Sequence, residues 1–375
     1  MYKKEVKVNL KNEKGSIVIF VLAAMMLFLG ILFLLYMSNA NAISNQNLAI
    51  QKIQNQYKIG DMEQRYKRYL KTANISIERG VIATEKSIYK DIDNNIAIIP
   101  KGFMVSDVSG EGNINKGLVV KDSSGNEFVW VPVSNVYEIW NEENNTGKLY
   151  EFLGNEKYNQ IIYSQNNKWF REPGILSDID YNQSYLNILG LSSIVQLENN
   201  LKNEYKEIMT SIKEYEGFYI GRYETGNITQ SQVVVQKNNS NISGRSWYEL
   251  YRKQKEFYNS NSDISSSMIT GSTWDMAIKW IDMNNDNKGY IANSNSRGNY
   301  SSMSIIATGS NENYKVNNIY DLAGNVAEWT LEADGNKKRT LRGGSAWNAV
   351  GVGERSGEEP QRQETYGSRM IMYLK

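Results

Sequence analysis

The chain contains neither cysteine nor histidine. The first absence removes disulfides and thiolate nucleophiles; the second removes imidazole bases; together they remove the commonest ligands of zinc, copper and non-haem iron. A serine triad has no histidine to complete it, and no Gly-x-x-x-x-Gly-Lys loop is present to cradle phosphates. Bias of charge is missing as well. Lys and Arg total 42 against 41 Asp and Glu, so no basic field favours nucleic acid and no acidic tail marks a solvating segment. No internal repeat of solenoid period is visible. A cysteine-free chain suits oxidising and reducing compartments equally, so location has to be read from other features.

What is present begins with length: 375 residues hold one large or two ordinary domains with a packed core. Ser16 to Met37 runs 22 residues without a charge, close to the roughly 20 that cross a bilayer as helix. Lys3, Lys4, Lys7, Lys11 and Lys14 precede it, and no Lys or Arg follows until Lys52. The positive-inside rule therefore predicts a single pass with residues 1–15 in the cytoplasm and the bulk of the chain extracellular, at the cell membrane. Two processing sites stand as alternatives to an uncleaved anchor, one after Gly15 and one after Ala42, where Ala40-Asn41-Ala42 offers small residues. Ile50, Ile53 and Tyr57 recur at helical spacing, which predicts a helical stalk over 38–93.

From Asn94 the sequence changes to short β-branched and aromatic runs separated by Gly, Asn, Asp and Ser, the pattern of strands and turns. Gly117 to Lys121 and Phe128 to Val133, flanking Asp122 to Asn126, predict a hairpin. Residues 134–216 read as an insertion. Its Asn-rich first part is poor in apolar residues, and its end carries a helix with Ile194, Leu197, Leu201, Tyr205, Ile208, Ile212 and Tyr215 on one face, stopped by Gly217. Phe218 to Tyr223 and Gln232 to Gln236 read as strands, and Ser265 to Met283 as a helix. The fold class is thus α+β, with a transmembrane helix and stalk ahead of an exported domain over 94–375.

Five segments occur in a set order: Glu127-Phe-Val-Trp-Val-Pro-Val133, Gly217-Phe-Tyr-Ile-Gly-Arg-Tyr-Glu224, Asn318-Ile-Tyr-Asp-Leu-Ala-Gly-Asn-Val-Ala-Glu-Trp329, Arg342-Gly-Gly-Ser345 and Gly367-Ser-Arg369. Together they resemble the formylglycine-generating enzyme, or sulfatase-modifying-factor, family. That resemblance implies an elaborated C-type-lectin-like domain of short twisted strands and a few helices over roughly Ile96 to Lys375. It also implies chemistry this chain lacks. The generating enzymes hold copper with two cysteines after Gly-Gly-Ser, where Ala346 to Arg355 stand here, and the related iron-dependent sulfoxide synthases need histidines. The expectation is a pseudoenzyme that requires no cofactor. At most it holds a structural calcium, for which the family uses the positions of Asn325 and Glu328, oxygen donors suited to a hard cation.

In target proteins of diversity-generating retroelements, which share this lectin-like fold, the stretch corresponding to Trp347 to Tyr366 carries the ligand-binding surface. By that resemblance Trp347, Asn348, Arg355, Gln361, Arg362 and Tyr366 are candidate contacts to an extracellular ligand, protein or glycan, and these residue types suit adaptable recognition. An ordinary polar loop closing the fold is the alternative reading of the same residues. The Lys14-Gly15-Ser16 junction and the apolar helix after it resemble the start of type IV pilin-like and Tad-like proteins, which implies pilus subunits as partners; Phe20 stands where pilins usually carry Glu, so a filament-building major pilin is not expected. Asp321, Glu328, Glu332 and Asp334 leave a carboxylate enzyme as a further alternative. Asp282, Asn284 and Asp286, followed by Gly289, lack the glycine at the sixth loop position and the acid at the twelfth that an EF-hand needs, and read as a solvated loop.

Overall fold

The computed structural model describes residues 75–375 except 148–168, 171–182, 230–231, 241–243, 301 and 335–337, together with Met25 and Met26. Two compact units divide the chain, Met1–Lys67 and Arg68–Lys375. The expected leader, membrane span and first part of the stalk lie outside the described residues, apart from Met25 and Met26, which are helical and exposed. Among the described residues no helix is long and apolar enough to cross a membrane.

The second unit is α+β. Its strands include β1 Ile75–Ser76, β2 Ser87–Lys90, β3 Ile96–Ile99, β4 Phe103–Val105, β5 Val119–Asp122, β6 Glu127–Pro132, β7 Gly217–Gly221, β8 Ile264–Met268, β9 Ala327–Asp334, β10 Lys338–Arg342, β11 Ser356–Glu358, β12 Tyr366–Ser368 and β13 Met370–Leu374. Its helices include α1 Gln183–Ile188, α2 Ile194–Tyr215, α3 Trp247–Lys255 and α4 Gly271–Met283. A six-stranded sheet runs β8-β13-β7-β6-β5-β4, and a second sheet runs β11-β10-β9-β12 with Trp169–Phe170 added to β9.

Alternation along the strands explains why the large sheet is central. Phe128 and Trp130 of β6, Tyr219 of β7, and Met370 and Met372 of β13 join one buried cluster, while Val129, Val131, Phe218, Ile220 and Ile371 join another. Successive side chains of a strand point to opposite faces, so both faces are covered. One face receives α4 through Trp274, Ile278 and Ile281. The other receives α3 and the second sheet through Trp247, Leu250, Trp329 and Leu331. Each such side chain removed from water contributes about 1.5–3 kcal/mol.

Several sequence expectations meet the structure directly. The hairpin is β5–β6, and its turn is closed by Asp122, whose carboxylate accepts from the Ser124 and Asn126 amides at 2.9 and 2.8 Å. Helix α2 has the expected bounds, with the Ser193 side chain capping its first turn. Its end differs in cause: Glu216 already takes the left-handed conformation at φ 54°. Gly217 opens β7 and is required by packing, because a Cβ there would lie 2.2 Å from the Trp130 ring.

Three boundaries are corrected. The folded unit reaches back before Asn94, since β2 pairs with β3 and Ile88 is buried, so residues 75–93 belong to the sheet structure rather than to a helical stalk. The 134–216 stretch is no appended insertion where it is described. Val136, Ile139 and Trp140, with Tyr205, Ile208 and Ile212 of α2, share a core with Val129, Val131, Phe218 and Ile220 of the central sheet. The helix expected from Ser265 begins at Gly271, because Ile264–Met268 pairs with β13 and Thr270 forms a capping box with Thr273.

Candidate functional site

The five segments that carried the family resemblance converge on buried charge. Glu224, just beyond β7, Asp321, Glu328 of β9 and Arg369 are all fully buried. Arg369 holds Glu328 through Nη2 at 2.6 Å and Nε at 3.1 Å, and gives its other N–H groups to the carbonyls of Gly221 and Tyr320 at 3.0 Å each. Glu224 accepts from Asn325 Nδ2 at 2.7 Å and from the Val326 amide at 3.2 Å. Asp321 accepts from the Gly309 amide at 2.7 Å, and its second oxygen has no hydrogen-bond partner. Glu127 of the first segment holds Arg222 of the second at 2.9 Å.

Three fully buried carboxyls stand around one guanidinium, which does not balance their charge. Burial therefore pushes Glu224 well above the ordinary carboxylate range, with Asp321 and Glu328 adding repulsion. Burial likewise raises Asp321 and lifts Glu328 to about 7, despite the opposing pull of Arg369.

This arrangement does not fit the calcium ion implied for Asn325 and Glu328. Asn325 Oδ1 already accepts from Asn299 Nδ2 and the Ile306 amide, each at 3.0 Å. Both Glu328 oxygens accept from Arg369, whose fixed guanidinium supplies the positive charge. Among the described residues no group of three or more His, Cys, Asp or Glu is placed to hold a metal.

A second buried cluster lies between α4, β9, β10 and the loop after β10. Arg342 meets Asp275 at 2.7 Å and Glu332 at 3.5 Å, while Arg355 meets Asp275 at 2.9 Å and Glu332 at 2.7 Å. Arg355 is thus turned inward, not toward a ligand, and joins a closed ring of two acids and two bases.

Trp347 stands on the turn that follows Arg342-Gly-Gly. Ser345 and Asn348 exchange backbone hydrogen bonds at 3.1 Å, and the Ala346 amide reaches the Asn325 carbonyl at 3.0 Å with its methyl group buried. Gly344 takes φ 73°, and a Cβ there would meet the Tyr300 ring at 2.8 Å. A rigid turn results. Trp347 stands on it 48% exposed, with Asn348 also exposed, on the loop that Tyr300 ties down by donating to the Gly343 carbonyl at 2.9 Å.

Gln361, Arg362 and Tyr366 form a separate patch beside α3, where the Trp247 amide donates to Pro360 and the Gly244 amide to Glu364. Arg362 meets Glu358 at 2.9 Å and Glu364 at 3.4 Å, and Gln361 donates to Glu359 at 3.0 Å. Tyr366 packs edge-on against Trp329, and burial together with Glu358 and Glu364 pushes its phenol up to about 12, which keeps it a donor. The six candidate contacts therefore divide into an exposed turn, an inward Arg355 and a charged patch. Glu224, Asn299 and Asp275 were missed by sequence reasoning; only Glu224, a charge closing an apolar strand, left a visible signal.

No family model and no curated protein matches the chain. No family is assigned. Solved structures with some likeness include the crystal structure of CarF, at 14% identity and a TM-score of 0.31, covering 42% of this chain and 87% of that one. Treponema denticola variable protein 1 shows 16% identity and a TM-score of 0.24, covering 77% and 92% respectively. Likenesses at these scores carry no argument about fold or function.

Proposed function

We propose that this chain is a membrane-anchored or pilus-associated surface protein whose folded unit, a catalytically inactive lectin-like domain of formylglycine-generating-enzyme type, binds an extracellular protein or glycan. The observation that carries the reading is Trp347, a half-exposed indole on a turn held by the Ser345–Asn348 backbone pair and by the Ala346 amide on the Asn325 carbonyl. Aromatic side chains presented rigidly give contact area at low entropic cost, which is what recognition surfaces use. The anchor rests on the uncharged run from Ser16 to Met37 with its basic flank. The lectin-like assignment rests on the order of the five segments, four of which supply the Glu224, Asp321, Glu328 and Arg369 cluster or the Glu127–Arg222 pair.

The absence of Cys and His supports a non-catalytic reading, and so does the burial of the candidate acids. Asp321, Glu328 and Glu332 are fully buried, and Glu328 and Glu332 are held by arginines. A carboxylate that works on a substrate has to reach it.

The test is to screen the full chain against panels of glycans and secreted proteins, with Trp347→Ala beside it. Binding that the variant loses supports the proposal; no binding by either chain, or turnover abolished by Asp321→Asn, would overturn it.

A further inference from the structure

From Gly343 to Gly353 the half-exposed indole of Trp347 is the one large side chain; its chain neighbours are Gly, Ser, Ala, Asn and Val. Two further stretches meet this one. Gly298 to Ile306 joins it through Asn325, whose amide donates to the Asn299 carbonyl at 2.9 Å, whose Oδ1 accepts from the Ile306 amide at 3.0 Å, and whose carbonyl accepts from the Ala346 amide at 3.0 Å. Ile291 to Ser296 joins it through Ser294, whose Oγ accepts from the Val352 amide at 3.0 Å. Exposed side chains of the three stretches include the amides of Asn293 and Asn348, the hydroxyls of Ser302 and Ser304 and the apolar Met303.

None of the three stretches contains an acidic or basic residue. The charged residues that border them are Arg297, Arg342 and Glu354, and each is engaged with the protein. Arg297 donates to Asn287 Oδ1, Arg342 is buried against Asp275, and Glu354 accepts from the Gly351 amide at 3.1 Å. That lack of charge chooses between ligand classes. A charged ligand placed here gives up water and finds no opposite charge in these stretches to replace it. Protein partners draw on arginine and on charged rims, which these stretches lack. A sugar carries hydroxyls that neutral amides and hydroxyls satisfy, and its C–H face suits the negative face of an indole.

We propose that the Trp347 surface takes a neutral glycan, an oligosaccharide without carboxylate, sulfate or phosphate groups, with one sugar ring stacked on the indole. The inference rests on the reading of the Trp347 turn as a recognition surface and narrows its ligand.

The detergent-solubilised full chain is titrated with neutral oligosaccharides of glucose, galactose, mannose and N-acetylglucosamine, beside uronate, sulfated and sialylated counterparts and a panel of secreted proteins. The expected result is saturable binding of at least one neutral oligosaccharide with a Kd of about 1 mM or below, little changed between about 0.05 and about 0.5 M salt. Trp347→Ala is expected to weaken it at least about tenfold, and Trp347→Tyr, which keeps a ring, by much less. Trp347-dependent binding confined to charged glycans or to a protein, or an affinity that falls steeply with salt, would overturn the neutral-glycan assignment and leave the recognition surface standing. No binding to any probe would overturn both. The choice among ligand classes and the salt series are read on the unaltered chain, so they decide the question whether or not a variant folds.

Discussion

The two buried charge clusters differ in their balance. Around Arg342 and Arg355, each of Asp275 and Glu332 lies between two guanidiniums, and the ring neutralises itself. Around Arg369, three carboxyls share one guanidinium, and the excess has to be carried by protons. Arginine ion pairs withdrawn from water stabilise little by their presence but cost much when one partner is removed. The first cluster therefore ties α4 to β9, β10 and the loop after β10 by sealing its own charge. The second joins the ends of β7 and β9 to the loop carrying Asp321 while remaining open to protonation.

The largest effect is expected from removing the cation of the unbalanced cluster. Arg369→Met leaves three carboxyls buried without a counter-charge and should cost about 3–5 kcal/mol in urea unfolding, with Arg369→Lys recovering only part because the forked contact to Glu328 is lost. Next comes Arg355→Ala. It breaks two pairs but leaves Arg342 to face both acids, so about 2–3 kcal/mol is expected by the same measurement.

The pH dependence separates the clusters more sharply. Glu224 and Glu328 have folded values above the ordinary carboxylate value of 4.5, Glu328 at about 7. The folded state thus binds more protons than the unfolded one. Their contribution is fully present below about pH 4.5 and is lost as pH rises through the raised folded values. Glu224→Gln cannot ionise, so its stability relative to the parent chain should improve by on the order of 1–2 kcal/mol between about pH 5 and pH 8. A constant difference across that range would remove the distinction between the clusters. Smallest is Trp347→Ala, which touches neither cluster and should shift unfolding by no more than about 0.5 kcal/mol.

How much of this was legible in the sequence depends on the kind of signal. Helix α2 was readable because seven apolar residues keep helical spacing, and the β5–β6 hairpin because Asp122 to Asn126 supply turn chemistry. The end of α2 was placed correctly for the wrong reason, since Gly217 answers to Trp130 across the sheet, a contact no local pattern contains. Strand β8 was hidden because its serines do not announce burial; Ser266 and Ser267 are inside because β8 pairs with β13, which is more than a hundred residues further along the chain. The inward turn of Arg355 was invisible for the same reason. Its partners, Asp275 and Glu332, come from distant segments, and sequence distance says nothing about which arginine faces solvent.

The measurement that bears most directly on the proposed function is the affinity of the full chain for a ligand drawn from glycan and secreted-protein panels, compared with that of Trp347→Ala at matched unfolding midpoints. The predicted result is a loss of about 2 kcal/mol or more of binding free energy with stability unchanged. Equal affinities in the two chains would contradict the assignment of the Trp347 turn as the recognition surface.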